Sequence, residues 1–556
     1  ADYALANTAL SRLSEEFQAK HPNCRCLALE WSIWSGVGMG ERLGRVDALL
    51  HQGISPISSE AGVFWLKRLL GANTPVRVVV SGRLGPKPPL PLVPQLELPF
   101  WRFLENPRLF YPGIELVVEA ELSPASDPYL DDHVLQGERL LPAVLGLEAM
   151  AQAACAVTGR VEVPAFEEVR FLQPIVVAEA GITLRLAALV RDQDTVEVVL
   201  RSSQSGFQRD CFRAIGRFFC PQKGTARRAL TPFIPLDPKQ DLYGKLLFQK
   251  GRFQRLKGYC KIEAFSCLAE IAAAEETNWF ARYLPQKLLL GDPGSRDAAI
   301  HAVQSCIPQA QILPIGIERW LPGDLNAPGP WTVEANEHWQ KGEVFCYELA
   351  VYGANGVLRE RFEGLRLRRI GEVAHRSWPL ALLAPYLERR VKELTGTSVR
   401  LTLGEDKAAI HRALEEAADI FRRPDGKPIA LNAKAVSAAH AAGITLAAAG
   451  QAPVACDLEI VAERPWRELL GGRYGLAELI ARQGQEDFNA AATRVWTAIE
   501  CLKKGGFSWD TPVLLHALEP DRWAVLKAGS WTIASWSGAL EGFGPVAVAI
   551  LVAASP

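Results

Sequence analysis

The sequence predicts an α+β protein of several domains, on three observations. At 556 residues the chain is longer than a single hydrophobic core organises. Proline-rich breaks divide it into blocks. Two of the middle blocks share one plan: a helix with a polar residue near its start, then strands of alternating apolar residues.

Taken in order, residues 1–84 open with ADYALANTALSRLSEEF, which carries Tyr3 and Asn7, and run on through CLALEWSIWSGVGMG and RVVVSGRL. Residues 85–99 are a linker, because the six prolines between Gly85 and Phe100 forbid a continuous helix. The first repeated block is 100–224. Its stretch DDHVLQGERLLPAVLGLEAMAQAA puts His133 and Gly137 ahead of a helix, and Pro142 suits that helix's first turn. Leu147, Met150, Ala151 and Ala154 fall at i, i+3, i+4 and i+7, the stripe of a buried helix. Ala149, Ala151, Ala153 and Ala154 are small enough for a sheet to wrap closely, and GITLRLAALV and TVEVVLRSS supply strands. A second linker, TARRALTPFIPLDPKQ, covers 225–240. The second block, 241–372, has a helix opened by GDPGSRDAAIHAVQSCIP, and strands VFCYELAVYG and GVLRERFEGLRLRRI joined by an Ala354–Gly356 hairpin turn. A softer break at Gly371–Trp378 precedes the last block, 378–556.

Composition excludes some function classes. With 61 basic and 62 acidic residues there is no electrostatic case for nucleic acid or an anionic membrane as partner. The last apolar run, GPVAVAILVAA, is too short to span a bilayer, and no signal peptide is visible. Eleven scattered cysteines without a CxxC fit a reduced, cytoplasmic chain. Two methionines, neither at residue 1, fit a piece of a longer polypeptide.

The residues themselves point to chemistry. Unpaired N–H groups at a helix N-terminus suit a carbonyl oxygen that gains negative charge. A histidine beside them, here His133, has the pKa to remove a proton from the carbon next to that carbonyl. The bare pattern also fits a histidine in a polar loop. In the last block, Asp457 and Glu459 share one face of a strand, and Trp496, Glu500 and Lys504 share one face of a helix that Gly505 and Gly506 end. Asp457, Glu459 and Glu500 are a candidate Mg²⁺ set, with Lys504 to neutralise pyrophosphate or act as a base. Each pattern alone also fits a solvated face.

His133-x3-Gly137-x4-Pro142 resembles the signature of polyketide and fatty acid synthase dehydratase domains, which are double hotdogs, each half a sheet wrapped around one long helix. The resemblance implies a second catalytic residue in a DxxxQ or DxxxH pattern, which Asp297-x3-His301 matches. It implies that His133 takes the α-proton of a 3-hydroxyacyl thioester while Asp297 protonates the departing hydroxyl, with no cofactor; Gly137, Pro142 and His301 are the implied substrate-side residues. Gly251 and Phe253 in LLFQKGRFQRL resemble part of a GYGPxF-like motif that lacks its tyrosine here.

The flanks carry further resemblances. Tyr3-x3-Asn7 and the strands after it look like the end of a ketoreductase domain, a partial Rossmann segment with Tyr3 as the catalytic tyrosine. Its glycine-rich fingerprint is missing, so NADPH would belong only to the intact ketoreductase. The last block is similar to α+β 4′-phosphopantetheinyl transferases, with Arg423, Lys427 and His440 implied to bind coenzyme A; Ala439 and Ile499 depart from that family's usual serine and lysine. The whole order resembles iterative polyketide synthases of the enediyne type. That implies an acyl carrier protein and the remaining synthase domains as partners, in a homodimer. Hotdog folds also serve as thioesterases, isomerases and non-catalytic dimerisation scaffolds, so fold alone leaves those readings open.

Overall fold

The computed structural model describes residues 2–42, 44, 46–51, 53–83, 98–218, 233–273, 277–405, 409–414, 420–422, 428–430 and 435–553. They form two compact units, Ala1–Leu98 and Pro99–Pro556.

In the first unit, helix α1 (Asp2–Lys20) precedes strand β1 (Ala28–Trp31), and helix α2 (Ser59–Gly71) precedes strand β2 (Arg77–Val80). β1 and β2 pair in parallel, which requires a crossover, and α2 lies within it. Ser58 caps α2 by accepting from the Ala61 N–H. Leu5, Leu10, Leu13 and Phe17 on α1, and Val63, Phe64, Leu66 and Leu70 on α2, are exposed.

The second unit begins with two halves of the same topology. The first half is β3 (Asn106–Tyr111), β4 (Glu115–Leu122), helix α3 (Ala143–Thr158), β5 (Ala165–Phe171), β6 (Ile182–Val190), β7 (Thr195–Ser202) and β8 (Asp210–Arg217). The second is β9 (Leu256–Ile262), β10 (Ser266–Ile271), helix α4 (Pro293–His301), β11 (Ala310–Pro322), β12 (Trp331–Lys341), β13 (Val344–Tyr352) and β14 (Leu358–Glu372). All twelve strands make one sheet, in the order β9-β10-β12-β13-β14-β11-β5-β8-β7-β6-β4-β3. Counted within each half, both follow the order 1-2-4-5-6-3, and the third strands β5 and β11 join them through Ile317 opposite Val169 and Trp320 opposite Phe166. Each half wraps its sheet around its helix, which is a double hotdog.

α3 is buried, as the sequence predicts, and the burial extends all round the helix from Val144 to Val157, beyond the one stripe the spacing picks out. Each large apolar side chain there, such as Leu147, contributes about 1.5–3 kcal/mol by leaving water. The polar residues on that helix are satisfied internally: Gln152 accepts from the Phe103 N–H at 3.0 Å and donates to Glu148 at 2.8 Å. The linker expected at 225–240 lies outside the described residues as far as 232, and its end is structured. Pro238–Leu242 forms one π-helical turn, with Asp237 accepting from the Lys239 N–H.

The last part of the second unit starts with α5 (Leu380–Thr395), followed by β15 (Arg400–Gly404), β16 (Ala435–Ala441), β17 (Ile444–Gly450), β18 (Val454–Ile460), α6 (Tyr474–Gly484), α7 (Phe488–Lys504), β19 (Leu514–Glu519), β20 (Trp523–Ala528), β21 (Trp531–Leu540) and β22 (Gly544–Ala553). A three-stranded sheet β15-β17-β16 stands beside a five-stranded one, β18-β22-β21-β20-β19. Asp487 caps α7, whose Ala491, Val495, Ala498 and Leu502 pack with Ile533 and Leu551 of the larger sheet.

Candidate active site

His133 follows a 3-10 turn, Pro128–Asp132, and precedes a short hairpin that pairs Val134–Leu135 with Glu138–Arg139. The hairpin turns at Gln136 (φ 52°) and Gly137 (φ 87°), two left-handed residues in sequence, the backbone of a type I′ turn. The turn returns Leu140 to His133: the Leu140 N–H donates to the His133 carbonyl at 3.0 Å, and the Leu140 carbonyl lies 2.9 Å from His133 Nδ1. A carbonyl only accepts, so Nδ1 carries the hydrogen and Nε2 keeps its lone pair. Phe248 and Phe253 flank the ring at 4.8 and 5.3 Å. His133 is 6% exposed, and burial pushes its pKa down to about 4 against two opposing backbone hydrogen bonds. It is a neutral base at pH 7.

From the second half, Asp292 caps α4 by accepting from the Ser295 N–H, and Asp297 and His301 lie one turn apart on the helix. Asp297 is 3% exposed. Burial pushes its pKa up to about 7, partly offset by Gln249, whose Nε2 donates to Oδ2 at 3.2 Å. His301 Nε2 is 3.8 Å from Asp297 Oδ1, beyond a direct hydrogen bond. Burial, and then repulsion from His133, push His301 down to about 3. Phe248 contacts both imidazoles, with ring centres 4.8 Å from His133 and 6.4 Å from His301. The two halves thus bring His133, Asp297 and His301 into one buried neighbourhood.

Two ties fix this juxtaposition. The loop before His133 docks on the turn Gly251–Phe253: the Asp132 carbonyl accepts from the Lys250 N–H at 2.8 Å, and the Asp132 carboxylate pairs with Arg252. Gly251 has φ 44°, and a Cβ there would meet Asp132 Oδ1 at 2.4 Å, so only glycine allows the approach. Second, Glu148 of α3 accepts from the Leu289 and Leu290 N–H groups at 2.7 and 2.8 Å, three residues before α4. A neutral imidazole with a free Nε2 and a carboxyl titrating near neutrality make a base and an acid in one apolar-rimmed site.

Family comparisons bear on this region. Residues 110–203 match the family model "Polyketide synthase dehydratase domain", and residues 226–377 match "Polyketide synthase dehydratase N-terminal domain". The double hotdog carries polyketide synthase dehydratase domains. One subunit of the polyunsaturated fatty acid synthase of Thraustochytrium sp. is 25% identical over 274 residues, 48% of this chain and 9% of that protein, so the chain spans less than a tenth of that relative. Among solved structures, the dehydratase domain of a mycocerosic acid synthase-like polyketide synthase is 16% identical over 50% of this chain and 97% of its own, with TM-score 0.40. The dehydratase domain from the CurF module of curacin polyketide synthase is 20% identical over 49% and 99%, with TM-score 0.39.

Other residues named from the sequence lie on the dehydratase region or beyond it. Pro142 is the N-cap of α3 rather than a residue inside its first turn. Gly137 sits exposed in the hairpin turn, and a Cβ there would meet nothing within 4 Å, so its backbone conformation is what requires glycine. Outside the dehydratase, Lys504 donates to Asp457 Oδ1 at 2.7 Å and to the Ala438 and Cys456 carbonyls, which ties the two C-terminal sheets together. Burial pushes the Asp457 pKa up to about 6, with Lys504 opposing and Glu459 and Glu500 adding smaller upward pushes.

The expected three-carboxylate metal set is not assembled. Among the described residues no group of three metal-ligating side chains is close enough to hold a metal ion; Asp457 pairs with Lys504, Glu459 with Arg464 at 2.8 Å and Glu500 with Lys503 at 2.7 Å. The carboxylate spacing in the sequence leaves those neighbouring cations out of account. His440 is exposed on β16 with Nδ1 2.8 Å from Thr445 Oγ1. Arg423 and Lys427 lie outside the described residues, as does the side chain of Tyr3, whose backbone is in α1; Asn7 is exposed there. Sequence reasoning missed Gln249, Phe248 and Glu148. The first two stand beside Gly251 in LLFQKGRF, a stretch whose sequence signal is only its glycine and phenylalanine.

Proposed function

We propose that the dehydratase region converts 3-hydroxyacyl thioesters on an acyl carrier protein into trans-2-enoyl thioesters. The observation that carries this reading is the pairing of a neutral His133 with an Asp297 whose pKa is raised to about 7, inside one buried site. His133 Nε2 takes the α-proton. The N-terminus of α3, which follows Leu140 by way of Pro142, receives the thioester oxygen as it gains charge. The C–O bond to the β-hydroxyl then breaks as Asp297 delivers its proton to the leaving oxygen. The two groups need opposite protonation states at one pH, and their pKa values allow both between about 4 and 7. Mass spectrometry of a 3-hydroxyacyl pantetheine incubated with this chain tests the reading. Loss of one water with wild type and none with His133→Ala is expected; no loss with wild type overturns it.

The wider setting proposed is an iterative, enediyne-type synthase in which this region acts with other synthase domains as a homodimer. The motif wording of residues 1–84 supports a ketoreductase tail, and the exposed apolar side chains of α1 and α2 suit a lobe that packs on further structure. For the C-terminal part we propose a phosphopantetheinyl transferase that takes coenzyme A. What supports it is the pair of half-buried Lys504 with buried Asp457 where two sheets meet. Asp457, Glu459 and Glu500 each hold a cation of their own, a poor fit to Mg²⁺, so no step is assigned to that metal. Transfer of phosphopantetheine from coenzyme A to an apo carrier by wild type, lost in Lys504→Ala, is the test; no transfer by wild type overturns this part.

A further inference from the structure

We propose that Gln249 and His301 together form a seat for the water that dehydration releases, with Gln249 Oε1 and His301 Nδ1 as its two acceptors; the inference rests on the dehydratase reading. Both side chains are at least nine-tenths buried, Gln249 at 2% and His301 at 4% exposure. Both atoms lack a hydrogen-bond partner among the described residues. Burying one unpaired acceptor is costly, and two of them on either side of the same carboxyl is a cost that folding alone does not explain. Their other polar atoms face Asp297: Gln249 Nε2 donates to Oδ2, and His301 Nε2 stands 3.8 Å from Oδ1. Nε2 is the ring nitrogen nearer the Asp297 carboxyl, and a His301 hydrogen placed there leaves Nδ1 to accept.

The reaction supplies what these atoms lack. A substrate hydroxyl has one hydrogen to donate. When the β-carbon–oxygen bond breaks, its electron pair goes to the oxygen, the Asp297 proton joins it, and the α-carbon's pair forms the new double bond. The product water has two donors, one for each acceptor. Once the delivered hydrogen turns away from Asp297 both acceptors are met, so the site complements the released water better than the bound hydroxyl and lowers the barrier as far as the transition state is water-like. The α-proton left on His133 and the charge left on Asp297 cancel when the proton passes back through that water.

Gln249→Met keeps the length of the side chain and removes both polar atoms. We expect kcat to fall 10- to 100-fold with KM within threefold, and hydration of the enoyl thioester, run in reverse, to fall by the same factor. A merely structural role would not move the pH profile, but this one does. Gln249 favours ionised Asp297, so its loss raises the Asp297 pKa and carries the alkaline limb to higher pH. The other groups around Asp297 stay in place: His301 on its own helix, His133 and Tyr243 from other elements, with Arg296 held by Glu360, Arg252 by Asp132, and Glu148 by the Leu289 and Leu290 N–H groups. His301 gives an independent check: His301→Gln, which keeps an acceptor, retains most activity, and His301→Leu loses as much as Gln249→Met. Wild-type turnover with unchanged kcat in Gln249→Met and His301→Leu overturns the seat alone. No wild-type turnover overturns the dehydratase reading and the seat with it.

Discussion

Arg389 ties the C-terminal part of the chain to the segment that carries Asp297 and His301. It is fully buried on α5, and its guanidinium reaches five groups of the second hotdog. It pairs with Glu337 at 2.6 Å and donates to Gln340 at 2.9 Å, to Tyr347 Oη at 3.3 Å, to the Cys306 carbonyl at 3.3 Å and to the Ala264 carbonyl. Phe265 and Phe345 sit 4.9 and 5.3 Å from it. Cys306 ends the 3-10 turn that continues α4 directly after His301. Arg389→Met preserves the aliphatic stem and deletes the charge. It leaves Glu337, 6% exposed, with the Tyr347 hydroxyl at 2.7 Å as its remaining neutral donor.

Breaking a buried pair from one side costs about 3–5 kcal/mol. The two orphaned carbonyls add to this, but contacts within one network overlap, so about 4 kcal/mol is the working figure. That corresponds to local opening roughly 10²–10³-fold more frequent. The assay is native-state hydrogen exchange by mass spectrometry on peptides covering 302–310 and 380–395. Exchange should speed by that factor in both peptides and stay constant in the first hotdog. Adding Glu337→Gln should restore much of the protection, because the unpaired charge is then gone; the coupling should be on the order of 2 kcal/mol. If exchange at 302–310 is unchanged, or if the two substitutions simply add, the clamp does not act on the α4 segment.

His133→Ala and Asp297→Ala should each lower dehydration by about 10²–10⁴-fold without altering the far-ultraviolet circular dichroism spectrum; comparable turnover in both would remove these residues from the mechanism. The pH dependence of kcat/KM for the free enzyme should be bell-shaped, falling below about 4 as His133 protonates and above about 7 as Asp297 ionises. For stability, the folded Asp297 pKa is raised from 3.8 to about 7, so its contribution is full at low pH and is lost as pH rises through 7. Asp297→Asn should therefore stabilise the protein at pH 8 by on the order of 4 kcal/mol, with little gain at pH 4, as read by urea unfolding. Gly251→Ala adds a clash with Asp132 to an unfavourable φ and should cost more than Gly137→Ala, where only the φ opposes the side chain at about 1–2 kcal/mol; equal losses would deny the docking of the two halves.

The fold was legible where local pattern and long-range contact agree. The strands GITLRLAALV and VFCYELAVYG, the hairpin turn at Ala354–Gly356 and the end of α7 before Gly505 all appear where spacing puts them. Each depends on periodicity or a turn residue, which act over a few positions. The candidate pair His133 and Asp297 was legible only through motif wording, since 164 positions separate them and no local rule brings them together. What the sequence withheld were residues whose meaning lies in a distant partner. Glu148 reads as a charged residue on an apolar helix, yet it caps N–H groups 141 and 142 residues away.

The carboxylates of the last block show the same limit from the other side. Strand and helix spacing put Asp457 with Glu459, and Glu500 with Lys504, on shared faces, and that much is local. Whether three carboxylates make a cation site depends on what else competes for them. Arg464 and Lys503 are close in sequence to Glu459 and Glu500, five and three positions away, and both were available to be read. Lys504 reads as a partner for substrate phosphate, and it is held by Asp457 across 47 positions. A charge pattern therefore fixes a ligand only once its own counterions are counted, and the strongest counterion here comes from a different element. The candidate site at His133 and Asp297 escapes that ambiguity because burial leaves so few competitors. His133 and Asp297 titrate where they do chiefly because water is excluded, and among the described residues the polar side chain that hydrogen-bonds the acid is Gln249.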